Sequence, residues 1–544
     1  MNTEKTMTGR DKLVVRMLAA CLAALALYHA ATLGWTPAFP TDDDGAYAAA
    51  AYQIWQTGRP GVPGYKDVIG MGRDIYVLGH IGAAAQGVFM RLFGVSVVTA
   101  LLPSFLVGLG ALGLVYLLGR ELWDARAGSL AALLLGLSGV FFSASHSARP
   151  DLLVTLFFLL ALWLAVSARS GDPRWRLLLA GLTMGLSGDV HPNGFLLAPL
   201  PLIFWFMLWR PGRRELWRAT LCYGGGGALG VVWWISRHYL PQPEEFRAQV
   251  AMHGLATHGV KIADHGVLGA VRAEMDRYLD WFWRARGHRH LFEGLCVGAG
   301  GALLVWRGGR EGRALVGLWL GLFLIAAALM SNTFGWYLIF AWPLFALWMA
   351  GALTMINKNS RHWQSRYQWI ARGAMAMLIA AYLVNLGLWH WKARQDTSLQ
   401  TRLGELRATV PAGAPVFASA GLWFAFWDRD FTHDPCLPFR ALEVKLNPTT
   451  GPTGWDVEQR KLGWRYIAAY GNLRREMDPD FPIEQMLEVE PWRERAAEVR
   501  EAREFSLKRC EVISRLPGLN DTITIFRVKD SAPSIAGEAV VEGQ

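Results

Sequence analysis

Three short polar motifs carry the residues in this sequence that are best suited to chemistry. They are 41–47, which holds three consecutive aspartates, 148–151, which contains an Arg-Pro-Asp step, and 188–194, which contains a histidine. A carboxylate can accept a proton as a general base, and an arginine fork can bind a phosphate through two parallel hydrogen bonds. These residue types could form an active site that transfers a proton and binds an anionic group.

Each motif also has a purely structural interpretation. Aspartate favours helix starts, so the triplet would serve as an acidic cap for a surface helix over 48–55. Pro150 and Asp151 would likewise form the first turn of the next helix, and His191 would be a bystander in a turn. Arg149 fits this interpretation least, because a charge between two long apolar blocks is costly and usually serves a site or a pathway.

The elements that must position these motifs are apolar blocks, each long enough to cross a hydrocarbon core of about 30 Å as a helix. Hydrophobic residues make up 53% of the 544 positions, which excludes an ordinary soluble domain for most of the chain. The blocks lie at 14–35, 75–93, 97–118, 127–146, 151–168, 176–190, 194–209, 218–236, 291–306, 314–331, 336–356 and 370–390. The sequence therefore predicts an α-helical polytopic membrane protein.

The block at 75–93 decides the topology. If it crossed the membrane, the five arginine-rich joints between later blocks would all face outward. If it lies in the interface, the same joints face the cytoplasm together with the N-terminus, as the positive-inside rule requires. We therefore expect about eleven spans plus interfacial helices, with loops 36–96 and 237–290 and the tail from 391 on the periplasmic side of a bacterial inner membrane. All three polar motifs then lie on that side.

The formal net charge of +10 does not indicate a nucleic-acid partner. The basic residues sit at the ends of apolar blocks rather than along one amphipathic face, so they act as topology signals. Of the five cysteines, Cys436 and Cys510 lie in the polar tail, and the sequence leaves open whether they pair. None of the five has the spacing of a metal site.

The tail changes in composition and predicts a separate unit. Residues 1–390 would form the membrane domain, and 391–530 a soluble periplasmic α/β domain of a size that can bury its own core. A disordered tail is expected over 531–544. The strand-like segments are 416–418, 465–468 and a hairpin of 510–516 with 522–528, and helical patterns occupy 396–409 and 484–504.

Over roughly 1–390 the sequence resembles the GT-C superfamily of glycosyltransferases, in particular the protein O-mannosyltransferases and the aminoarabinose transferases that modify lipid A (the family 39/83 type). The resemblance rests on an acidic pair followed by a small residue and an aromatic, here Asp43 to Tyr47, and on Arg149-Pro150-Asp151 with the apolar run 152–160. Three further segments look like that family: 93–96, 102–104 and 119–126.

The resemblance implies the GT-C fold and an inverting transfer of a sugar from a polyprenyl-phosphate-linked donor to an acceptor outside the cytoplasm. Asp43 would be the general base, with Asp44 and Asp151 as supporting carboxylates. Arg149 would bind the donor phosphate, for which its planar fork is suited. Less specific candidates for the phosphate are His191, Arg59, Lys66 and Arg73, and candidates for the substrate interface are Tyr47, His80, Asn193 and Tyr337.

The sequence leaves the cofactor and the acceptor open. A divalent cation such as Mg, Mn or Zn would share the charge of the leaving phosphate, with Asp43 and Asp151 as its candidate ligands. The acceptor would be a lipid, a glycan or a protein. Two other classes compete with an enzyme: a transporter or flippase of a lipid-linked or anionic substrate, and a non-catalytic assembly protein. A transporter is expected to show inverted repeats and polar residues at mid-membrane, and this sequence shows neither.

Overall fold

The computed structural model of the chain describes its three-dimensional structure in fifteen stretches. These are residues 9–33, 41–66, 68–76, 78–168, 174–256, 261–284, 290–330, 335–358, 365–395, 399–434, 436–437, 454–481, 487, 495–517 and 522–529. The expected disordered tail at 531–544 lies outside the described residues.

Helices build the chain up to residue 395, as the apolar blocks predict. In order they are α1 (Gly9–Thr32), α2 (Asp42–Thr57), α3 (His80–Phe93), α4 (Val97–Leu122), α5 (Ala125–Leu137), α6 (Gly139–Ser145), α7 (Asp151–Ser167), α8 (Arg174–Ser187), α9 (Asn193–Leu197), α10 (Pro199–Trp209), α11 (Arg213–Trp234), α12 (Pro243–Ala256), α13 (Lys261–Leu279), α14 (Leu291–Arg307), α15 (Gly309–Leu329), α16 (Trp342–Lys358) and α17 (Ser365–Gln395). Single 3₁₀ turns at Pro63–Tyr65, Val68–Gly70 and Gly335–Phe340 and π turns at Ile235–Tyr239 and Asp280–Arg284 connect some of them.

Four of the described helices are long and apolar enough to cross a membrane: Leu13–Thr32, Val97–Leu122, Gly309–Leu329 and Trp369–Leu388. The pair α5 and α6 would add a fifth, with a bend of 69° between its halves, and three further apolar helices are shorter. A membrane-embedded helical body is thus supported. The number of eleven spans and the orientation of the chain stay predictions.

Glycines bring α8 and α11 into backbone contact. A Cβ atom added to Gly181 would lie 1.9 Å from the Tyr223 carbonyl oxygen, and one added to Gly226 would lie 1.9 Å from the Leu178 carbonyl oxygen. The glycine run at 224–227 lies in this contact, because residues without a side chain let two helices pack closely. The contact fixes the ends of both helices, which border the 188–194 motif and the turn at Ile235–Tyr239.

The segment between α1 and α4 lies on one end of the helix bundle and is called the cover segment; its described residues are 41–66, 68–76 and 78–96. Here α2 packs against α3, and a Cβ atom added to Gly87 would lie 2.5 Å from the Ala51 carbonyl oxygen. The interfacial block expected at 75–93 forms a helix from residue 80 onward. The aspartate triplet occupies the first turn of α2, so this cover carries the first polar motif.

A five-stranded sheet forms the core of the C-terminal part. The strands are β1 (Val416–Ala418), β2 (Phe431–His433), β3 (Tyr466–Ala469), β4 (Cys510–Pro517) and β5 (Thr522–Val528), in the spatial order β2-β1-β3-β5-β4. The first three are parallel, and β5 runs antiparallel to both β3 and β4. The flanking helices are α18 (Leu399–Thr409), α19 (Trp423–Phe426), α20 (Trp455–Leu462), α21 (Gly471–Met477) and α22 (Ala496–Arg509).

The sequence-based strands of the tail are confirmed, and one strand was missed. The predicted strands at 416–418 and 465–468 match β1 and β3, and the predicted hairpin matches the β4–β5 pair. The missed strand is β2, which has only three residues and no alternating pattern of its own. No disulfide joins Cys436 to Cys510. They belong to two different apolar clusters, so the disulfide that the sequence left open is not formed.

Candidate active site

Asp44 ties the start of α2 to the turn before α7. Its Oδ2 accepts hydrogen bonds from the Thr41 amide and hydroxyl, both at 2.8 Å, and Thr41 Oγ1 accepts from the Asp44 amide, which forms a capping box. Its Oδ1 accepts from the Ser147 hydroxyl and the Ala148 amide, both at 2.7 Å. Both carboxylate oxygens are thereby used, so Asp44 brings the first two polar motifs together.

Arg149 bridges the carboxylates of Asp43 and Asp151. Its Nε donates to Asp151 Oδ2 at 2.7 Å, and its Nη1 donates to Asp43 Oδ2. The arginine side chain is only 8% exposed and that of Asp151 only 5%, whereas that of Asp43 is 58% exposed. The buried charge of Arg149 is therefore compensated by two carboxylates, one of which opens to solvent.

Of the two carboxylates that Arg149 contacts, Asp43 is the exposed one that a substrate can reach. Protein atoms surround it on the other sides, and this partial burial raises the pKa of the Asp43 carboxyl, while the charge of Arg149 opposes the rise. The neighbouring carboxylates Asp44 and Asp151 raise the pKa further. A carboxylate that is accessible and more basic than usual is suited to act as a general base.

Two tyrosines border the Asp43–Arg149–Asp151 group. Tyr47 follows Asp43 by one helical turn, and both Tyr47 and Tyr337 lie close enough to interact electrostatically with all three charged groups. Burial raises the pKa of the Tyr47 phenol well above its usual value, so it remains a neutral hydrogen-bonding group. These contacts bring the expected interface residues Tyr47 and Tyr337 to the candidate base.

The third polar motif reaches the same place through Tyr337. The Tyr337 ring centroid lies 6.3 Å from that of His191. His191 Nδ1 accepts a hydrogen bond from the Asn193 amide at 3.2 Å, which fixes the imidazole within the turn before α9. The structure therefore assembles all three motifs around one site, as their shared side in the predicted topology implied.

The other basic candidates have partners of their own. Arg73 forms an ion pair with Glu245 at 3.0 Å, and Lys66 forms one with Asp430 of the C-terminal part. Arg59 lies beyond the C-terminal end of α2, whose last residue Thr57 is about 21 Å from Asp43 along the helix axis at 1.5 Å per residue. A role in binding phosphate stays a prediction for these three and for Arg149, which is the candidate that contacts Asp43.

His80 belongs to a second buried polar cluster. Its amide donates to Asp189 Oδ1 at 3.1 Å, and its Nε2 lies 3.7 Å from Asp74 Oδ1. Its ring packs against that of His238, with 4.2 Å between centroids and an angle of 30° between the planes. His238 also contacts Asp189 at 2.6 Å and the Tyr76 carbonyl at 2.9 Å. The cluster pins the cover segment to the ends of α8 and α11.

A divalent cation bridging Asp43 and Asp151 does not fit this arrangement. The Arg149 guanidinium contacts both carboxylates, so the position of a bridging metal is filled by a fixed positive charge. Asp189, His80 and His238 offer donor atoms that all lie within 4.8 Å of one another. In that cluster His238 Nδ1 contacts the Tyr76 carbonyl and Nε2 contacts Asp189, so a metal would have to replace one of these contacts.

Two contacts of the site could not be found from the sequence. Ser147 lies beside the Arg-Pro-Asp step, but its bond to Asp44 depends on a turn that no local pattern reveals. Gly421 donates its amide to Asp42 across 379 positions. One helix cap needs a single carboxylate, whereas the triplet has three. This was the only feature of the sequence that indicated additional partners.

Asp44→Ala is expected to lower the free energy of unfolding by about 2–4 kcal/mol. The variant removes the carboxylate half of the capping box of α2 and leaves the Ala148 amide without its acceptor. The apparent midpoint of thermal unfolding in detergent, followed by tryptophan fluorescence, measures the loss. Asp44→Asn keeps an acceptor oxygen for that amide and should lose less; an unchanged midpoint for the alanine variant would contradict the structural role.

Comparisons with known proteins show which families the chain resembles in sequence and in fold. The model of the dolichyl-phosphate-mannose-protein mannosyltransferase family matches residues 80–238, which include the second and third motifs. No curated protein matches the chain by sequence. Among solved structures, ArnT from Cupriavidus metallidurans bound to undecaprenyl phosphate superimposes with a TM-score of 0.59 at 12% identity, covering 96% of this chain and 99% of ArnT.

A second group of similar structures comes from an archaeon. The oligosaccharyltransferase AglB from Archaeoglobus fulgidus, in complex with an inhibitory peptide and a dolichol-phosphate, superimposes with a TM-score of 0.50 at 14% identity, covering 85% of this chain and 70% of AglB. At these identities the likeness concerns the fold. By fold over nearly its whole length and by sequence pattern over 80–238, the chain is thus similar to GT-C glycosyltransferases of the protein mannosyltransferase and ArnT type.

Proposed function

We propose that the chain is an inverting glycosyltransferase that moves a sugar from a polyprenyl-phosphate-linked donor to a hydroxyl of an extracytoplasmic acceptor. The observation that carries this proposal is the bridge from Asp43 through Arg149 to Asp151, in which an accessible carboxylate and a buried guanidinium stand side by side. Such a pair provides the base for a hydroxyl and the cation for a phosphate within one site.

The reaction follows from the placement of the two charges. Asp43 accepts the proton of the acceptor hydroxyl while the acceptor oxygen forms a bond to the anomeric carbon. The bond between that carbon and the phosphate oxygen breaks, and the phosphate leaves with the electron pair. Arg149 binds the leaving phosphate through charge-assisted hydrogen bonds, which are strongest when its negative charge increases. Attack and departure on opposite sides invert the anomeric centre.

The ion pair between Arg149 and Asp43 implies that the donor phosphate binds before Asp43 acts as the base. A carboxylate that is paired with arginine is a weaker base, because the positive charge stabilises its ionised form. A donor phosphate would compete for the same guanidinium and thereby release Asp43. Asp151 holds the other side of the guanidinium at 2.7 Å and keeps Arg149 in place during this exchange.

The known ligands of the similar structures support a lipid-linked donor. ArnT was solved with undecaprenyl phosphate and AglB with a dolichol-phosphate and a peptide. For this chain we accordingly propose a polyprenyl-phosphate donor, with a lipid, a glycan or a protein as acceptor. The proposal includes a bacterial inner-membrane location with a cytoplasmic N-terminus, a membrane domain over 1–390 and a periplasmic domain over 391–530.

The proposal is tested by transfer of labelled sugar with the purified chain in lipid vesicles. We expect transfer from polyprenyl-phosphate sugars and none from nucleotide sugars, because the site has its phosphate-binding cation beside apolar helices rather than in a soluble nucleotide pocket. The matched control is vesicles without the protein. Absence of transfer from a panel of polyprenyl-phosphate sugars, with flux of those lipids between leaflets, would instead identify a flippase.

A further inference from the structure

The C-terminal part of the chain lies directly on the aspartate triplet. The Gly421 amide donates a hydrogen bond to Asp42 Oδ1 at 3.1 Å. A Cβ atom added to Gly45 would lie 1.8 Å from the Ala420 carbonyl oxygen, so the first turn of α2 and the turn at 419–422 are in backbone contact. The residue next to the candidate base is therefore held by a segment 379 positions later in the chain.

The turn at 419–422 is itself fixed by the sheet. The Ala420 amide donates to Asp434 Oδ1 at 3.1 Å, at the end of β2. Ser419 Oγ donates to the Tyr470 carbonyl at 2.9 Å and accepts from the Tyr470 amide at 3.1 Å, just after β3. Because two strands hold this turn from behind, it presents the Gly421 amide to Asp42 in one position.

Further contacts continue along the cover segment. The Tyr52 ring of α2 meets the rings of Trp423 and Trp427, with centroids 6.1 and 5.5 Å away. Beyond α2, Lys66 pairs with Asp430 at the start of β2. Apolar packing and an ion pair thus hold the two segments together on either side of the bond to Asp42.

We infer that Asp42 is a positioning residue and that the turn at 419–422 sets the orientation of the candidate base Asp43. Successive residues of an α-helix are turned by about 100° at 3.6 residues per turn, so the three aspartates leave the helix start in three directions. Asp42 meets the turn, Asp43 meets Arg149, and Asp44 caps its own helix and binds Ala148. Because Asp42 and Asp44 are both held by hydrogen bonds, the direction in which the Asp43 side chain leaves the helix is set as well. The inference rests on the proposed function.

The bond to Gly421 needs an acceptor oxygen rather than a charge. Asp42→Asn keeps such an oxygen, whereas Asp42→Ala removes it. Misplacement of a reacting group by about 1 Å can cost about 10²-fold in rate. A positioning role therefore predicts a large effect for the alanine variant and a small one for the asparagine variant.

The experiment measures kcat and donor KM for sugar transfer with the full-length protein. We expect Asp42→Ala to lower kcat by about 10–10²-fold with a donor KM near that of the wild type, and Asp42→Asn to remain within a few fold of the wild type. Gly45→Ala, which pushes the turn away through its new methyl group, should reproduce the alanine effect. Asp428→Asn is the matched control, because Asp428 lies in the same segment but pairs with Arg407.

Hydrogen exchange of the Gly421 amide provides a readout without substrate. Protection is expected in the wild type and in Asp42→Asn, and loss of protection in Asp42→Ala. An asparagine variant as slow as the alanine variant would show that Asp42 acts through its charge, and full kcat in the alanine variant would show that it positions nothing; either result overturns the inference. Protection of Gly421 in a protein that transfers no sugar would remove the proposed function alone, since the contact itself would stand.

Discussion

Asp43→Asn is expected to lower kcat for sugar transfer by about 10²–10⁴-fold, the usual contribution of a positioned general base. Asparagine has the shape of aspartate but cannot take the proton of the acceptor hydroxyl. The donor KM should stay the same or fall, because the carboxylate that competes with the donor phosphate for Arg149 is gone. Initial rates with labelled donor, at matched protein amounts in vesicles, measure both constants.

The control for this variant must change a carboxylate without touching the site. Asp428→Asn removes an aspartate of the C-terminal part whose partner is Arg407, and wild-type rates are expected. An Asp43→Asn protein with unchanged kcat would exclude Asp43 as the base. Because that side chain is 58% exposed and caps nothing, its replacement should leave the thermal midpoint nearly unchanged.

The sequence predicted which residues lie at the candidate site better than it predicted the role of each residue. The three polar motifs were expected to share one side of the membrane because the positive-inside rule fixed the direction of every loop. The structure brings Asp43, Arg149 and Tyr337 together accordingly. The interpretation of the triplet as a helix cap holds for Asp44, which forms the capping box of α2 with Thr41. The catalytic interpretation falls on Asp43, which faces solvent, and stays a prediction.

The contacts that the sequence could not predict are those between distant segments. The strands β1, β4 and β5 follow from alternating or β-branched runs, but the bond from Gly421 to Asp42 joins a turn and a helix start that have no common pattern. The buried pair of His238 and Asp189 depends on the close packing of α8 and α11. Such contacts are set by tertiary packing, which local propensity does not encode.

Arg149→Gln is expected to raise the donor KM by about 10²-fold or more, because removing one partner of a buried charge pair costs about 2–5 kcal/mol. The same variant should change the pH dependence of kcat/KM. The base works only when ionised, so activity is present above the pKa of Asp43 and is lost as the pH falls through it. Burial already raises that pKa and Arg149 opposes the rise, so loss of the arginine raises it further and moves the acid limb to higher pH.

Arg149→Lys separates the two roles of this residue. Lysine keeps the positive charge, so the acid limb should stay near that of the wild type, but it lacks the planar fork that contacts Asp43 and Asp151 together. The donor KM should therefore rise while the pH profile hardly moves. A glutamine variant with a wild-type donor KM would contradict phosphate binding by Arg149.

The competition between Asp43 and the donor phosphate makes a final test possible. If both bind the same guanidinium, the effects of Asp43→Asn and Arg149→Gln on donor affinity cannot be additive. Asp43→Asn should tighten the donor only when Arg149 is present, so the gain should vanish in the double variant. An equal gain in donor affinity with and without Arg149 would mean that the Asp43 carboxylate repels the donor phosphate directly. The basicity of Asp43 would then depend on its burial and not on its release from Arg149.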